Sequence, residues 1–267
     1  MIHTPSIGAA KFWPGELARM ASHAIVIARM IIDENDYGPM TFIVQLRSMK
    51  DHSLLPGVET GDIGSKHGYN TKDNGYAVFT NFRVPRSALL SKYIKVDREG
   101  DISLSGNPKV AYFTMMFVRI SMVAEAFYYL GVALTVVMRY SAYRRQFKTL
   151  PDGSERKILD YQLQQYRLVP LLARGYAFFF MARRCRQQFS QTAEDIEKRN
   201  DTSGLGSLHL ILSGLKAVMT WDTASGMEEC RQACGGQGFL ETAGISPVLL
   251  DYTARVTYEG DNNVMML

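Results

Sequence analysis

Residues 110–134 read VAYFTMMFVRISMVAEAFYYLGVAL, and this stretch decides how the second part of the chain folds. Apolar residues recur in it at spacings of three and four, which is the period of an amphipathic helix. They are Val110, Phe113, Phe117, Ile120, Ala124, Phe127, Gly131 and Leu134. The same period returns in a segment that begins near Ile158 and in another that runs from about Leu208 towards Cys234. Three long helices with short connections predict a helical bundle.

Two features mark the ends and interior of these helices. Pro170 lies inside the second helix, where a missing N–H group is expected to kink it. Gly235 and Gly236 follow the third helix and are expected to end it, because glycine is common just past helix C-termini. Polar residues at 148–157 and 192–206 predict two connecting loops.

Before residue 107 the pattern changes to period two, which is typical of half-buried strands. Phe42, Val44 and Leu46 alternate with their neighbours, and residues 76–84 do the same. Turn residues separate these segments, without a helical pattern between them, so the sheet should be antiparallel. We therefore predict an α+β fold, with a partial β-domain over residues 1–106 and an α-helical bundle over residues 107–267.

Composition narrows the class of protein. The 267 residues carry a formal net charge of +4, with 46% hydrophobic and 21% charged residues, and basic residues do not form blocks. Nucleic-acid binding is therefore not expected. Arg119 and Glu125 interrupt the longest apolar stretch, which favours a buried helix over a membrane span. Three scattered cysteines without a close pair predict neither a disulfide framework nor a metal site.

The candidate chemistry lies near the end of the sequence, where Glu259 stands between Tyr258 and Gly260. A carboxylate beside apolar surface loses hydration and becomes a stronger base, and the glycine leaves room for another molecule. The alternative is an acid that stabilises the start of a helix. Two other features are equally open: Gly235-Gly236 is a helix stop or a close approach to a phosphate, and Arg144-Arg145 is a basic helix end or a phosphate clamp.

Seven segments in order, spread over the chain, resemble the middle of acyl-CoA oxidases, within the acyl-CoA dehydrogenase and oxidase superfamily. They are Lys11–Gly15, Leu55–Val58 with Gly61–Gly64, Asp73–Tyr76, Arg139–Ala142, Ile158–Gln162, Ala233–Gly238 and Tyr258–Asn262. The resemblance implies a peroxisomal, homodimeric FAD enzyme of fatty acid β-oxidation. Such an enzyme forms a trans-2-enoyl-CoA from a fatty acyl-CoA and passes the electrons to molecular oxygen, giving hydrogen peroxide.

The resemblance also implies roles for single residues. Glu259 matches the base that removes the α-proton, and Gly260 lies beside it on the substrate side. Arg119 matches an arginine that faces the acyl-CoA, although a paired charge inside the bundle is the alternative. The positions that match cofactor contacts are Trp13, Gly15, Arg144, Gln162, Gly235 and Gly236, the bundle residues reaching the FAD of a partner subunit.

The sequence departs from the family pattern in two places. Phe12 precedes Trp13 where two tryptophans are common, and Asp261 replaces a commoner glutamate. The resemblance covers only the centre of the family's sequence, so we expect the chain to be a fragment, truncated at the end of its bundle. Two alternatives stay open: an acyl-CoA dehydrogenase that reduces an electron-transfer flavoprotein, and a truncated, non-catalytic assembly partner.

Overall fold

The computed structural model describes residues 1–92, 94–104 and 110–267. The chain forms two compact units, one of Met1–Lys66 with Asn70–Pro108 and one of His67–Tyr69 with Lys109–Leu267. The first contains small antiparallel sheets and the second is mainly helical. The α+β prediction is thereby confirmed. The predicted boundary between residues 106 and 107 lies outside the described residues.

The first unit is built from short antiparallel strands. They are β1 (Lys11–Gly15), β2 (His23–Ile32), β3 (Asn35–Gln45), β4 (Val58–Asp62), β5 (Asn74–Phe79), β6 (Ile94–Val96) and β7 (Ile102–Leu104). β5 is the central strand between β1 and β4, whereas β2 pairs with β3 and β6 with β7. The period-two pattern is confirmed in β3, where Val44 is buried and Ile43 is 47% exposed.

One predicted strand is too long. The alternating pattern of residues 76–84 continues to Val84, but β5 ends at Phe79. Asn81 adopts a left-handed backbone conformation with φ 48°, which a strand cannot accommodate. Within residues 80–84 only Phe82 makes a bridge, to Ile2, so the prediction of a regular strand there is wrong.

The second unit contains the helices α1 (Val110–Tyr143), α2 (Gln162–Arg199), α3 (Leu205–Ala233), α4 (Ile245–Thr253) and α5 (Asn262–Met265). Its core is apolar and drawn from the three long helices, with Leu130, Leu168 and Leu212 fully buried. α3 ends just before Gly235, as predicted. The α2 assignment is continuous through Pro170, and the kink there stays a prediction.

By length and composition, α1 also qualifies as a candidate membrane span over Met115–Tyr143, with a mean hydropathy of 1.7. A core helix of a soluble protein passes the same test, and 44% of the qualifying window is buried inside the protein. Its buried side chains, including Arg119 at 4% exposure, belong to the face that packs in the bundle.

Both predicted loops of the bundle prove more ordered than expected. Residues 192–199 continue α2, because Glu194 pairs with Lys198 and Asp195 with Arg199, one helical turn apart. The 148–157 connector is part of a hairpin, in which β8 (Arg145–Lys148) pairs with β9 (Glu155–Lys157). The loop predictions are therefore wrong for residues 192–199 and 205–206 and for the strand residues of the hairpin, whereas residues 149–154 and 200–204 lie outside helices and strands, as predicted.

The short segment His67–Tyr69 belongs to the helical unit although it precedes α1 by about forty residues. The Tyr69 amide donates to the Asp251 side chain at 2.5 Å. A Cβ atom on Gly68 would lie 2.2 Å from the Leu250 carbonyl oxygen, so no larger residue fits there without a shift of backbone. The segment is thus held against α4 by close backbone contact.

Candidate active site at one end of helix α3

Glu259 lies in a turn with unusual backbone geometry between α4 and α5. Its φ is 58° and that of Gly260 is 104°, so two consecutive residues are in the left-handed region. For a residue with a side chain this conformation costs about 1–3 kcal/mol and persists only when the surroundings hold it. Such outliers concentrate at functional sites. The geometry therefore agrees with Glu259 as a functional residue.

The Glu259 carboxylate does not stabilise a helix start. Asp261 performs that task, because its side chain accepts a hydrogen bond from the Asn263 amide at 3.0 Å at the N-terminus of α5. Glu259 is half-buried, and within the described residues its carboxylate has no hydrogen-bond or salt-bridge partner. The alternative reading of this acid as a helix-capping charge is not supported.

A buried lysine holds the turn from below. Lys216 of α3 is 0% exposed, and its Nζ donates to the Gly260 carbonyl oxygen at 2.5 Å and to Asn262 Oδ1 at 2.7 Å. Asn262 is itself buried and donates through Nδ2 to the Ala217 carbonyl at 3.1 Å and to Thr220 Oγ1 at 2.9 Å. These bonds attach Gly260 and Asn262, the first and last residues of this segment, to α3.

Arg119 brings a second buried positive charge to the same region. Its Nη1 donates to Ser213 Oγ at 3.0 Å and lies 3.2 Å from His209 Nδ1, while its Nε has no hydrogen-bond partner among the described residues. No carboxylate in the described part of the chain forms a salt bridge with it. The pKa of Lys216 falls to about 8, chiefly because burial disfavours its charged form; Arg119 also lowers it, whereas the carboxylates of Asp261 and Glu259 raise it. Lys216 thus lies near a second buried cation and two carboxylates.

The segment before the turn is fixed by an ion pair. Arg255 is 3% exposed and its Nε donates to Glu125 Oε2 at 2.6 Å. The guanidinium also lies over the rings of Tyr129 and Tyr252, with 4.5 Å and 5.1 Å to the centroids. Charge and cation–π contacts together anchor the chain four residues before Glu259.

The predicted cofactor residues of the bundle lie at the C-terminal end of α3. Arg144 and Gln162 are exposed, and nothing approaches a Cβ built on Gly235 or Gly236 within 4 Å. The sequence did not point to Gln164, which joins these ends: its Nε2 donates to Ser141 Oγ of α1 and to the Ala233 carbonyl of α3, both at 3.0 Å. The end of α1, the start of α2 and the end of α3 therefore meet.

The helix separates the two groups. Lys216 and Ala233 are 17 residues apart on α3, which corresponds to about 25 Å at 1.5 Å per residue. Glu259, Gly260 and Arg119 lie near Lys216 in the middle of α3. The exposed Gly235 and Gly236 follow its C-terminal end. The structure thus divides the predicted site of this unit into two places instead of bringing all its residues together.

Trp13 and Gly15 lie on β1 of the other unit. Trp13 is 59% exposed and has a positive φ of 86°, and its carbonyl oxygen accepts a bond from Asn74 Nδ2 at 2.7 Å. The ladder between β1 and β5 is irregular between Phe12 and Gly15. This bulge turns the aromatic ring of Trp13 outwards, where a planar ligand has access to it.

The described residues do not contain a group of three or more His, Cys, Asp or Glu side chains that could hold a metal ion. Cys185, Cys230 and Cys234 are free and buried. Burial raises the pKa of Cys230 to about 12, so this thiol stays protonated near neutral pH.

A sequence model of the acyl-CoA oxidase C-alpha1 domain matches residues 112–267. The chain belongs to the acyl-CoA oxidase family. It is similar to peroxisomal acyl-coenzyme A oxidase 1 of Rattus norvegicus, with 42% identity over 100% of this chain and 40% of the relative. The corresponding Arabidopsis thaliana protein is 44% identical over 100% of this chain and 41% of its own length.

Solved acyl-CoA oxidase structures share the fold. Acyl-CoA oxidase 1 of Arabidopsis thaliana superposes with a TM-score of 0.95 at 43% identity, over 99% of this chain and 41% of that one. Acyl-CoA oxidase-2 of Caenorhabditis elegans, bound with FAD, ascaroside-CoA and ATP, gives the same score and identity over 99% and 40%. The chain thus spans about 40% of the length of the acyl-CoA oxidases it matches.

Proposed function

We propose that this chain is the central part of an FAD-dependent acyl-CoA oxidase that forms a trans-2-enoyl-CoA and hydrogen peroxide in peroxisomal fatty acid β-oxidation. The observation that carries this proposal is the Glu259 turn. Within the described residues, a half-buried carboxylate without a hydrogen-bond partner is held in a left-handed conformation, near the buried ammonium group of Lys216. A base that must remove a weakly acidic proton needs such fixed geometry.

Glu259 would take the α-proton of the acyl thioester. Gly260 lets the turn adopt φ 104°, and the Met265 side chain packs where a Cβ atom would stand. Arg119 would stabilise the negative charge that develops as the proton leaves, since a preorganised cation acts strongly away from bulk water. Arg119 has an unpartnered Nε for this purpose. When bound, FAD supplies the two-electron redox chemistry that amino-acid side chains lack.

The exposed residues suit a ligand that carries both phosphates and flat rings. Arg144 offers a guanidinium, and the Gly235–Gly236 backbone is open on the side where a Cβ would stand. Trp13 presents its ring from β1, beside Gly15. Gln162 begins α2, where the backbone N–H groups of a helix start favour an anion. These residues would hold FAD.

The distance along α3 supports a homodimer with shared sites. The Gly235–Gly236 loop follows Ala233, which lies about 25 Å along α3 from Lys216, the residue that binds the Glu259 turn. A flavin ring that reacts next to Glu259 would therefore be remote from the loop of its own subunit. We therefore propose that Arg144, Gln162, Gly235 and Gly236 contact the FAD of a partner subunit. In a two-fold dimer each subunit then gives one half of two sites.

The test is an electron-acceptor assay on the purified, FAD-loaded protein that carries this chain. We expect oxygen consumption matched by hydrogen peroxide formation when a saturated fatty acyl-CoA is added. A control with electron-transfer flavoprotein as acceptor distinguishes a dehydrogenase, which would reduce that protein without making peroxide. Absence of a flavin spectrum and of both activities would favour a non-catalytic assembly partner.

A further inference from the structure

Lys216 is the feature of the site that the assigned roles explain least. Burying an ammonium group is unfavourable unless something is gained from its charge or its hydrogen bonds. Here neither hydrogen bond goes to a carboxylate: one goes to the Gly260 carbonyl and the other to the Asn262 amide oxygen. Both acceptors lie within three residues of Glu259, on its C-terminal side. The lysine therefore acts on the turn and on the first residue of α5.

We infer that Lys216 is a positioning residue for Glu259, which fixes the left-handed turn through Gly260 and Asn262 and sets the charge that the carboxylate faces. The inference rests on the proposed function, because Glu259 is the base of that reaction. Lys216 binds the turn through Gly260 and Asn262, while the Glu259 carboxylate has no hydrogen-bond partner among the described residues. The base is thus held by its backbone, and its carboxylate stays available to substrate.

The charges around Lys216 make this arrangement dependent on pH. Asp261 and Glu259 face it from the turn, and Arg119 faces it from α1 with His209 beside it. Burial lowers the pKa of Lys216 to about 8. Above that pH the amine still donates hydrogen bonds, but they are weaker, because charge-assisted bonds are roughly twice as strong as neutral ones.

The first experiment measures turnover against pH in the FAD-loaded protein. We expect kcat of the unmodified protein to fall about tenfold as Lys216 loses its proton above pH 8. Lys216→Met keeps the length of the side chain and removes its charge and its donors. It should lower kcat about tenfold at pH 7 and abolish the alkaline decline, with KM changed much less. Lys198→Met, on the exposed face of α2, is the matched control and should change neither quantity.

A second variant covers the case in which Lys216→Met fails to fold. Asp261→Asn keeps an N-cap for α5 and removes a carboxylate that raises the pKa of Lys216. The alkaline decline should then move to lower pH. The Lys216→Met, Asp261→Asn double variant should show no alkaline decline of kcat, because the titrating lysine is absent. A residue that only fills the core would not produce this pattern.

Hydrogen exchange provides a readout that does not depend on activity. In the Lys216→Met protein, amides of residues 258–263 should exchange at least tenfold faster than in the unmodified protein, while those of α2 stay unchanged. Unchanged exchange in that segment, or a kcat within twofold of normal with the alkaline decline intact, overturns the inference. Faster exchange in a protein that oxidises no acyl-CoA would instead reject the proposed function and leave the structural role of Lys216 standing.

Discussion

The middle of helix α3, around Lys216, and its C-terminal end differ in how completely the chain itself builds them. Around Lys216 the turn that carries Glu259 is fixed by buried hydrogen bonds, an N-cap and a nearby ion pair. At the C-terminal end, Gly235 and Gly236 are exposed, with nothing within 4 Å of the position that a side chain would take. The Glu259 turn is fixed by contacts within the chain, whereas the Gly235–Gly236 backbone is exposed.

This difference separates the parts of a site that the chain fixes by itself from the parts whose contacts form only with the ligand. A base must be oriented before the reaction begins, so its support comes from the protein interior. A surface that accepts a large cofactor needs free donors and space, and its contacts form only when the ligand arrives. The predictions below test the two ends against each other.

The largest expected effect is on proton removal. Glu259→Gln keeps the shape of the side chain but cannot accept the proton, so kcat of the FAD-loaded protein should fall at least about 10²-fold. FAD content, measured by absorbance, should not change. Glu241→Gln, an exposed acid on the short helix after the glycines, is the control. Near-normal oxidation of acyl-CoA by Glu259→Gln would remove the assignment of the base.

Alanine at a glycine should separate the two ends by stability. Gly260 has φ 104°, which a side chain tolerates poorly, so Gly260→Ala should lower the free energy of unfolding by about 1–2 kcal/mol. Gly236 has neither a positive φ nor a close neighbour, and Gly236→Ala should stay within about 0.5 kcal/mol. Urea unfolding of the FAD-free proteins measures both. Equal losses would mean that the loop is as rigidly built as the turn.

Charge reversal tests the open end. Arg144 is exposed and its side chain donates to Gln146 Oε1, whereas Arg145 Nη1 donates to the Glu155 carbonyl within the hairpin. Arg144→Glu should weaken FAD retention about tenfold and weaken the dimer, because a carboxylate repels phosphate. Arg145→Glu should have a smaller effect on both. Flavin content and sedimentation velocity are the measurements, and indistinguishable, negligible effects would contradict a shared site.

The smallest effect is a change of stability with pH at the built end. The pKa of Lys216 falls from 10.5 to about 8 on folding, so above pH 8 the unfolded chain binds more protons than the folded one. Stability from this group therefore rises with pH until the unfolded lysine also loses its proton. The unfolding free energy of the unmodified protein minus that of Lys216→Met should increase by about 1 kcal/mol from pH 7 to pH 9. A decrease would show the sign to be wrong.

Periodicity was sufficient for the α+β fold, because burial of one face leaves its period in the sequence. It failed where local conformation decides: the left-handed Asn81 ends a strand pattern early, and charge pairs at Glu194 and Asp195 extend α2 through a polar stretch. A polar composition marks solvent exposure, and an exposed helix is as polar as a loop.

Of the candidate site, the sequence pointed to the base and the glycines but not to their supports. Lys216 and Gln164 lie in helical stretches where a polar residue reads as surface. Their roles depend on partners that are 44 and 69 residues away, Gly260 and Ala233. The sequence signal that could have indicated this network is a set of polar residues at core positions of α3, such as Lys216 and Thr220.

The close contact of Gly68 with α4 has a consequence for how this molecule can be divided. A protein engineer who cuts the chain at residue 109 would discard the strip that donates to Asp251. The same strip has to find its place after α4 has been synthesised, far downstream. Any insertion or circular permutation that moves residues 67–69 would leave the bundle with an unfilled seam.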